Sequence, residues 1–301
     1  MPVTDTIVSM DMIYISLILG LLGLVFGSFA GAQVWRLRAR QLAEDKRASE
    51  PYSKQEYNQL APLMKHKGTA DRSQCLYCHH QLHWYDLLPL VSWARTKGKC
   101  HYCQHPIGFL EPLIEIGVAV FFAASFLYWP FPLESTLAIV QLGLWLLTGV
   151  MLAILFAYDT KWFLLPDRVV VPLIAVAVGF SVISIMRQPD VAGALVSTGE
   201  AIVILAGLYL ALWLISHGRW IGFGDVKLGL ILALLVGTWQ LAFLTLFLAN
   251  LIGCLIVLPG LITKKLSRTT QVPFGPMLIV AGIITVLWGD SIIGWYLTAF
   301  I

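Results

Sequence analysis

Two sets of residues in this 301-residue chain have the types and spacing to do chemistry. The first is four cysteines in two tight pairs, Cys75-x-x-Cys78 and Cys100-x-x-Cys103. The second is two aspartates at the ends of apolar stretches, Asp159 in Ala157-Tyr158-Asp159-Thr160-Lys161 and Asp225 in Gly222-Phe223-Gly224-Asp225. The cysteines point to a metal, and the aspartates to a pair of acids working where an apolar environment meets water.

Zinc favours four soft or borderline ligands in a tetrahedron, and a Cys-x-x-Cys turn lets two thiolates grip one ion. Two such turns with 21 residues between them match the spacing of a zinc ribbon or knuckle. Trp84, Leu87, Leu88, Leu90 and Trp93 are too few to make a core there without a metal staple. A closed four-cysteine set leaves no open coordination position, so the expected metal is structural. Disulfide pairing and a redox-active thiol pair are the alternatives. His79, His80, His101 and His105 stand beside the cysteines, but four sulfurs need no substitute ligand. Cys254 lies inside an apolar run and reads as a packing residue.

A carboxylate at hydrocarbon depth is costly, which makes it a functional candidate by default. Two carboxylates brought face to face share a proton. One can then activate water while the other protonates a leaving amide nitrogen, which is peptide hydrolysis without a covalent intermediate. Gly222 and Gly224 leave room for an extended peptide beside Asp225. Lys227 stands two residues further on, placed to touch substrate, hold Asp225 or bias its ionisation. The plain alternative is that both aspartates are interfacial residues capping helices. Asp167, in Pro166-Asp167-Arg168, reads as such a helix N-cap. Glu111 and Glu115 share one helix face and could meet substrate or cofactor, or pair with nearby Lys and Arg. Val272-Pro273-Phe274-Gly275-Pro276 reads as a shaped start to the last helix.

The elements that must position these residues are membrane helices. A mean hydropathy of +0.79, with 58% hydrophobic and 12% charged residues, is far from a soluble average of about a quarter charged. Several apolar runs reach the roughly 20 residues needed to cross a bilayer as a helix. The pattern predicts an all-α polytopic membrane protein with about eight spans, near 12–35, 108–129, 136–158, 168–186, 192–216, 226–236, 238–260 and 276–298. The sixth is short. Placing 36–107 inside leaves only Arg187, of 20 Lys and Arg, in an outside loop, as the positive-inside rule requires. Both termini are then outside. The first apolar run has no Lys or Arg before it and Arg36, Arg38 and Arg40 after it, so it reads as an uncleaved anchor rather than a signal peptide.

Three parts follow: a first transmembrane helix at 1–36, a cytoplasmic four-cysteine module at 37–107, and a transmembrane core at 108–301 carrying the aspartates. The module's first part, 41–68, reads as a short helix plus loop, and no tandem repeat stands out. The lipid bilayer is an expected partner and nucleic acid is not.

The motifs, taken in order, are Gly27-Ser28-Phe29, Arg72-Ser73-x-Cys75-x-x-Cys78, Leu88-Pro89-Leu90-x-Ser92-Trp93, Gly98-Lys99-Cys100-x-Tyr102-Cys103 and Glu111-Pro112-Leu113-Ile114-Glu115. They continue through Asp159, Leu164-Leu165-Pro166-Asp167, Gly222-x-Gly224-Asp225-x-Lys227 and Pro273-Phe274-Gly275-Pro276. This string resembles the bacterial type IV prepilin peptidase family over nearly the whole chain. The resemblance implies a multi-pass enzyme of the bacterial inner membrane that cuts the basic leader from prepilins or pseudopilins at the cytoplasmic face. It implies Asp159 and Asp225 as the catalytic pair. It also implies N-methylation of the new terminus with S-adenosylmethionine, for which Glu111 and Glu115 are candidate contacts. Two features depart from the family pattern: Leu76, where many relatives carry proline, and 65–70, which replaces an apolar lead-in. Three rival readings remain: a general intramembrane aspartyl protease resembling presenilin, an ion-coupled transporter, and a membrane-anchored zinc adaptor.

Overall fold

The computed structural model describes residues 3–64, 72–264 and 271–300. The expectation for 65–70 lies outside the described residues. The chain divides into two compact units, Met1–Leu127 and Tyr128–Ile301. Among the described residues there are helices, turns and two isolated bridges, and no strand.

In the first unit, α1 runs from Val3 to Ala48. Its 46 residues correspond to about 69 Å, more than twice the roughly 30 Å of a bilayer core. The expected stop near residue 36 is not a stop. Leu, Arg, Ala, Gln, Glu and Lys continue the helix as good helix formers, until Ser49 turns to φ 58° just before Pro51. The extension has its own small core. Ala39 and Leu42 pack with Leu60 of α2 (Lys54–Leu60), and Trp35, Tyr52, Tyr57, Leu63 and Met64 close around them. Leu76 joins that cluster, which gives the departure from proline a packing purpose. Arg38 binds Glu56 through Nε at 3.0 Å and Nη2 at 2.6 Å. A short α3 (Val91–Arg95) follows the first cysteine pair, and α4 (Leu110–Leu127) packs along α1. That approach is at backbone level: a Cβ on Gly27 would stand 2.6 Å from the Glu115 Cα, and one on Gly23 2.7 Å from the Ala119 Cα.

The second unit holds α5 (Thr136–Trp162), α6 (Asp167–Met186), α7 (Val191–Ile202), α8 (Leu208–Ser216), α9 (Phe223–Val236), α10 (Trp239–Ile262) and α11 (Gly275–Phe300). A π-helical turn, Val203–Gly207, joins α7 to α8 so that the two make one span, Val191–Ser216. Ser135, Asp190 and Thr238 cap α5, α7 and α10 by accepting backbone N–H bonds. Outward faces such as Phe243, Phe247, Leu255 and Ile256 of α10 are exposed, an apolar surface that lipid covers.

Among the described residues, seven helices are long and apolar enough to cross a membrane. The expected span missing from these seven is the sixth, α9, whose 14 residues reach only about 21 Å. It is an interior helix, packed against α6, the α7–α8 span and α11, with Leu228, Ile231, Leu232 and Ala233 fully buried. Arg187, the one basic residue expected outside, is tied down: Nη1 donates to Gln141 Oε1 at 2.5 Å and Nη2 to the Pro132 carbonyl at 2.8 Å.

Candidate metal centre and candidate active site

Each cysteine pair sits on the same backbone turn. The Cys75 N–H donates to the His80 carbonyl and the His79 N–H to the Cys75 carbonyl. The Cys100 N–H likewise donates to His105, and the Gln104 N–H to Cys100. His79 and Gln104, each the residue after the second cysteine, take φ of 57° and 58°. Isolated bridges, Gln74 with Gln81 and Lys99 with Pro106, close the two turns at their bases. The four sulfurs lie within 4.8 Å of one another, and Cys75 Sγ is 3.9 Å from Cys103 Sγ. Tetrahedral zinc with bonds of about 2.3 Å sets sulfurs about 3.8 Å apart. The donor set therefore fits a closed structural metal site. The cysteines are free thiols, against the disulfide alternative. Burial pushes the Cys75 thiol up to about 12.

The two turns also carry a repeat with no tandem partner, Cys-x-Tyr-Cys-x-His at 75–80 and again at 100–105. Its copies exchange rings. Tyr77 meets His105 with centroids 3.3 Å apart, and His80 meets Tyr102 at 3.7 Å, both pairs tilted. The histidines beside the cysteines thus pack on tyrosines. The copies begin 25 positions apart, with other residues between them, so a search for adjacent repeats misses them.

Glu111 and Glu115 lie one turn apart on α4. Glu111 Oε1 accepts from Trp35 Nε1 at 2.9 Å, while its Oε2 is buried and has no hydrogen-bond partner. Glu115 is 8% exposed and accepts from the Leu90 N–H at 2.8 Å and from the Ser28 hydroxyl.

In the second unit, Asp159 is not a loop residue after α5 but lies inside its last turn, since the helix runs on to Trp162 and ends at Phe163 with φ 56°. It is 6% exposed, and its Oδ2 accepts from the Gly275 N–H at 3.1 Å. Gly275 opens α11, and a Cβ there would stand 2.6 Å from that oxygen. Glycine is what lets the free N–H of a helix start reach the carboxylate. Asp225 is the third residue of α9, in the first turn after Gly222, and is half-buried. The Asp159 and Asp225 carboxylates are close enough to repel one another when charged, so the fold brings together the two acids that the sequence singled out.

Three neighbours differ from expectation. Asp167 is the first residue of α6 and caps nothing; Pro166 is in the cap position, and the Asp167 carboxylate takes Lys227 Nζ at 2.5 Å. Lys227 is thereby committed to Asp167, and the pair ties the start of α9 to the first turn of α6. Gly224 is a packing residue, because a Cβ there would press on Leu165 at 3.0 Å, whereas Gly222 faces open space on its Cβ side out to 3.8 Å. Tyr209 was not singled out from sequence. It is 3% exposed, has no hydrogen-bond partner for its hydroxyl, and lies within electrostatic reach of Asp225. The π-helical turn and Gly229 put it there: a Cβ on Gly229 would meet the Leu205 carbonyl and the Tyr209 ring, each at 3.1 Å. A tyrosine in an apolar helix gives no local sign of this.

Comparison with known proteins fits this geometry. The family model for the bacterial peptidase A24 N-terminal domain matches residues 21–129, and that for the type IV leader peptidase family matches residues 146–258. The prepilin leader peptidase/N-methyltransferase of Aeromonas hydrophila is 32% identical, over 96% of this chain and 96% of its own. That of Pseudomonas aeruginosa is 30% identical over 99% and 98%, and that of Bacillus subtilis 30% over 76% and 86%. No solved structure matches. With paired acids in the segment matched by the second family model, a four-cysteine cluster in the first, and relatives similar from end to end, the chain belongs to the type IV leader peptidase family.

Proposed function

We propose that this multi-pass membrane protein is a prepilin leader peptidase and N-methyltransferase, with Asp159 and Asp225 as its peptidase centre. The observation that carries the first activity is the meeting of two acids from different helices, 66 positions apart, one of them held by a helix-start N–H. Of two facing carboxylates, one keeps a proton and the other does not. The ionised one takes a proton from water, whose oxygen forms a bond to the scissile carbonyl carbon. The protonated one gives its proton to the leaving nitrogen as the C–N bond breaks, and no covalent intermediate forms. The segment from Gly222 to Gly224 is the edge along which an extended prepilin or pseudopilin lies, with Lys227 fixing that edge through Asp167.

The charge asymmetry supports a cytoplasmic position for the dyad and the cysteine module in a bacterial inner membrane, with both termini outside. In the cysteine module, Cys75, Cys78, Cys100 and Cys103 hold zinc, whose part is to fix the fold. S-adenosylmethionine, when bound, would supply the methyl group for the new terminal nitrogen, the C–S electron pair staying on sulfur and the amine proton going to water. The buried, unpartnered oxygen of Glu111 suits a cationic ligand of that kind.

The test is to incubate the purified protein in liposomes with a prepilin, with and without S-adenosylmethionine, and weigh the product. Loss of the leader mass is expected in both cases and an added methyl mass only with the donor. An intact prepilin would reject the peptidase assignment.

A further inference from the structure

The four-cysteine module reads from its sequence as a part standing in water, yet the structure lowers one edge of it to the level of the membrane. Helix α4 measures about 27 Å over its 18 residues, barely the roughly 30 Å of a bilayer core, so its first turn has to lie at the hydrocarbon edge. Glu115 stands about 7.5 Å along the axis from Leu110, the first residue of α4, and its Oε2 accepts the Leu90 N–H at 2.8 Å. A helical side chain leans toward the N-terminus of its helix, so this contact sets the Leu90 backbone at the hydrocarbon edge. Leu90 takes φ 58°, ψ −42° to make it, a costly conformation for a leucine. A second tie, from Trp93 Nε1 to the Gly108 carbonyl at 2.8 Å, holds α3 beside the start of α4.

What the lowered edge presents is apolar. Trp84 is 73% exposed, Val91 60% and Phe109 76%, and Leu88 is exposed as well. Trp93 packs on Phe109 with ring centroids 5.2 Å apart, and from Phe109 the exposed face of α4 continues through Leu113, Ile116 and Val120. The apolar edge is therefore continuous with a helix face that lipid covers. Residues 72–107 also carry four exposed bases, Arg72, Arg95, Lys97 and Lys99. Against them stands one acid, Asp86, which is taken up by the Tyr102 hydroxyl at 3.0 Å and the His83 N–H at 3.1 Å.

We propose that the four-cysteine module is docked on the membrane, its segment 84–91 dipping into the headgroup layer of the leaflet where α4 begins. Trp84, Leu88 and Val91 then sit at the acyl boundary, and Arg95, Lys97 and Lys99 lie on anionic phospholipid headgroups. Interfacial segments of this kind sink about 5–10 Å, and tryptophan favours that layer. Neither cleavage nor methyl transfer is needed for this docking.

The test uses the zinc-loaded full-length protein in nanodiscs, carrying Cys254→Ser to remove the thiol outside the metal site. Val91→Cys is spin-labelled, with Val120→Cys as the lipid reference and Glu50→Cys, past the end of α1, as the water reference. Collisions with oxygen relative to an aqueous nickel chelate should be about tenfold more frequent at residue 91 than at residue 50, approaching the value at residue 120. A ratio equal to that at residue 50 overturns the docking. So does a low ratio that rises only when a prepilin is added, which would make the edge a protein-binding surface. Since a labelled variant can fail to fold, the wild-type protein gives a second reading in nanodiscs of phosphatidylglycerol with a diazirine near the head of its acyl chain. Trypsin releases 73–95 and the span-containing 100–161. Adducts on both are expected, and adducts on 100–161 without 73–95 overturn the docking. With phosphatidylcholine carrying the same probe, adducts on 73–95 should fall about threefold, and an unchanged yield overturns the part given to the three bases.

Discussion

The four-cysteine module and the aspartate pair solve the same problem, holding reactive side chains together, by opposite means. In the module each half of the site is a local turn of six residues, written twice, and only one pairing of two nearby turns has to be made. In the dyad nothing is local. Asp159 lies in the last turn of α5, Asp225 in the first turn of α9, Gly275 begins α11, and Tyr209 arrives on a span that contains a π-helical turn. The lesson is that metal chemistry can be specified by spacing, whereas the acid pair exists only once the helices have packed.

That contrast can be broken most decisively at the acids. Asp159→Ala or Asp225→Ala should each lower prepilin cleavage about a thousandfold or more, because the pair acts as a unit, with helicity by circular dichroism unchanged. Near-full activity in either would mean that the packed pair is not the catalyst. Cys100→Ser should release the metal and leave 72–107 loosely folded, seen as fast amide exchange there. Helices α5 and α9, in the other unit, should keep their protection; loss of protection in both would erase the comparison.

A smaller effect is expected at Gly275. Adding a methyl 2.6 Å from Asp159 Oδ2 pushes the carboxylate off its N–H donor, and Gly275→Ala should cost about ten- to a hundredfold in kcat while leaving metal content untouched. Tyr209→Phe removes a buried hydroxyl that no protein group satisfies. Its melting stability should hold or rise by about 1 kcal/mol, while a displaced kcat pH profile would report the lost dipole beside Asp225. Least of all should Lys227→Met matter for stability, at under about 1 kcal/mol in thermal melts, because Asp167 in that ion pair is 63% exposed.

Much of the site was legible because its chemistry is expensive to hide. Carboxylates at membrane depth and cysteines three apart announce themselves without any partner in view. What escaped was each partner supplied by backbone or by distance. Asp167 looks like a cap from its neighbours, yet Lys227 from another helix claims it. Gly275 looks like a turn residue, yet its N–H serves a carboxylate 116 positions away. The short α9 shows the same limit for the fold. Its residues are as apolar as those of a span, and only its length and its enclosure by α6, α7 and α11 make it an interior helix.

By itself, then, the order of residues determined that most of this chain is membrane helix, that four sulfurs can close on one ion, and which two acids are worth watching. Period, spacing and the cost of burying charge act over a few residues, and a reader of the chain can apply them directly. The tertiary structure alone decided that those acids meet, that a glycine and a tyrosine stand beside them, and that one glutamate oxygen is buried unpaired. These depend on which helix faces touch. Packing sets that through contacts between residues far apart in the chain, which no local pattern encodes.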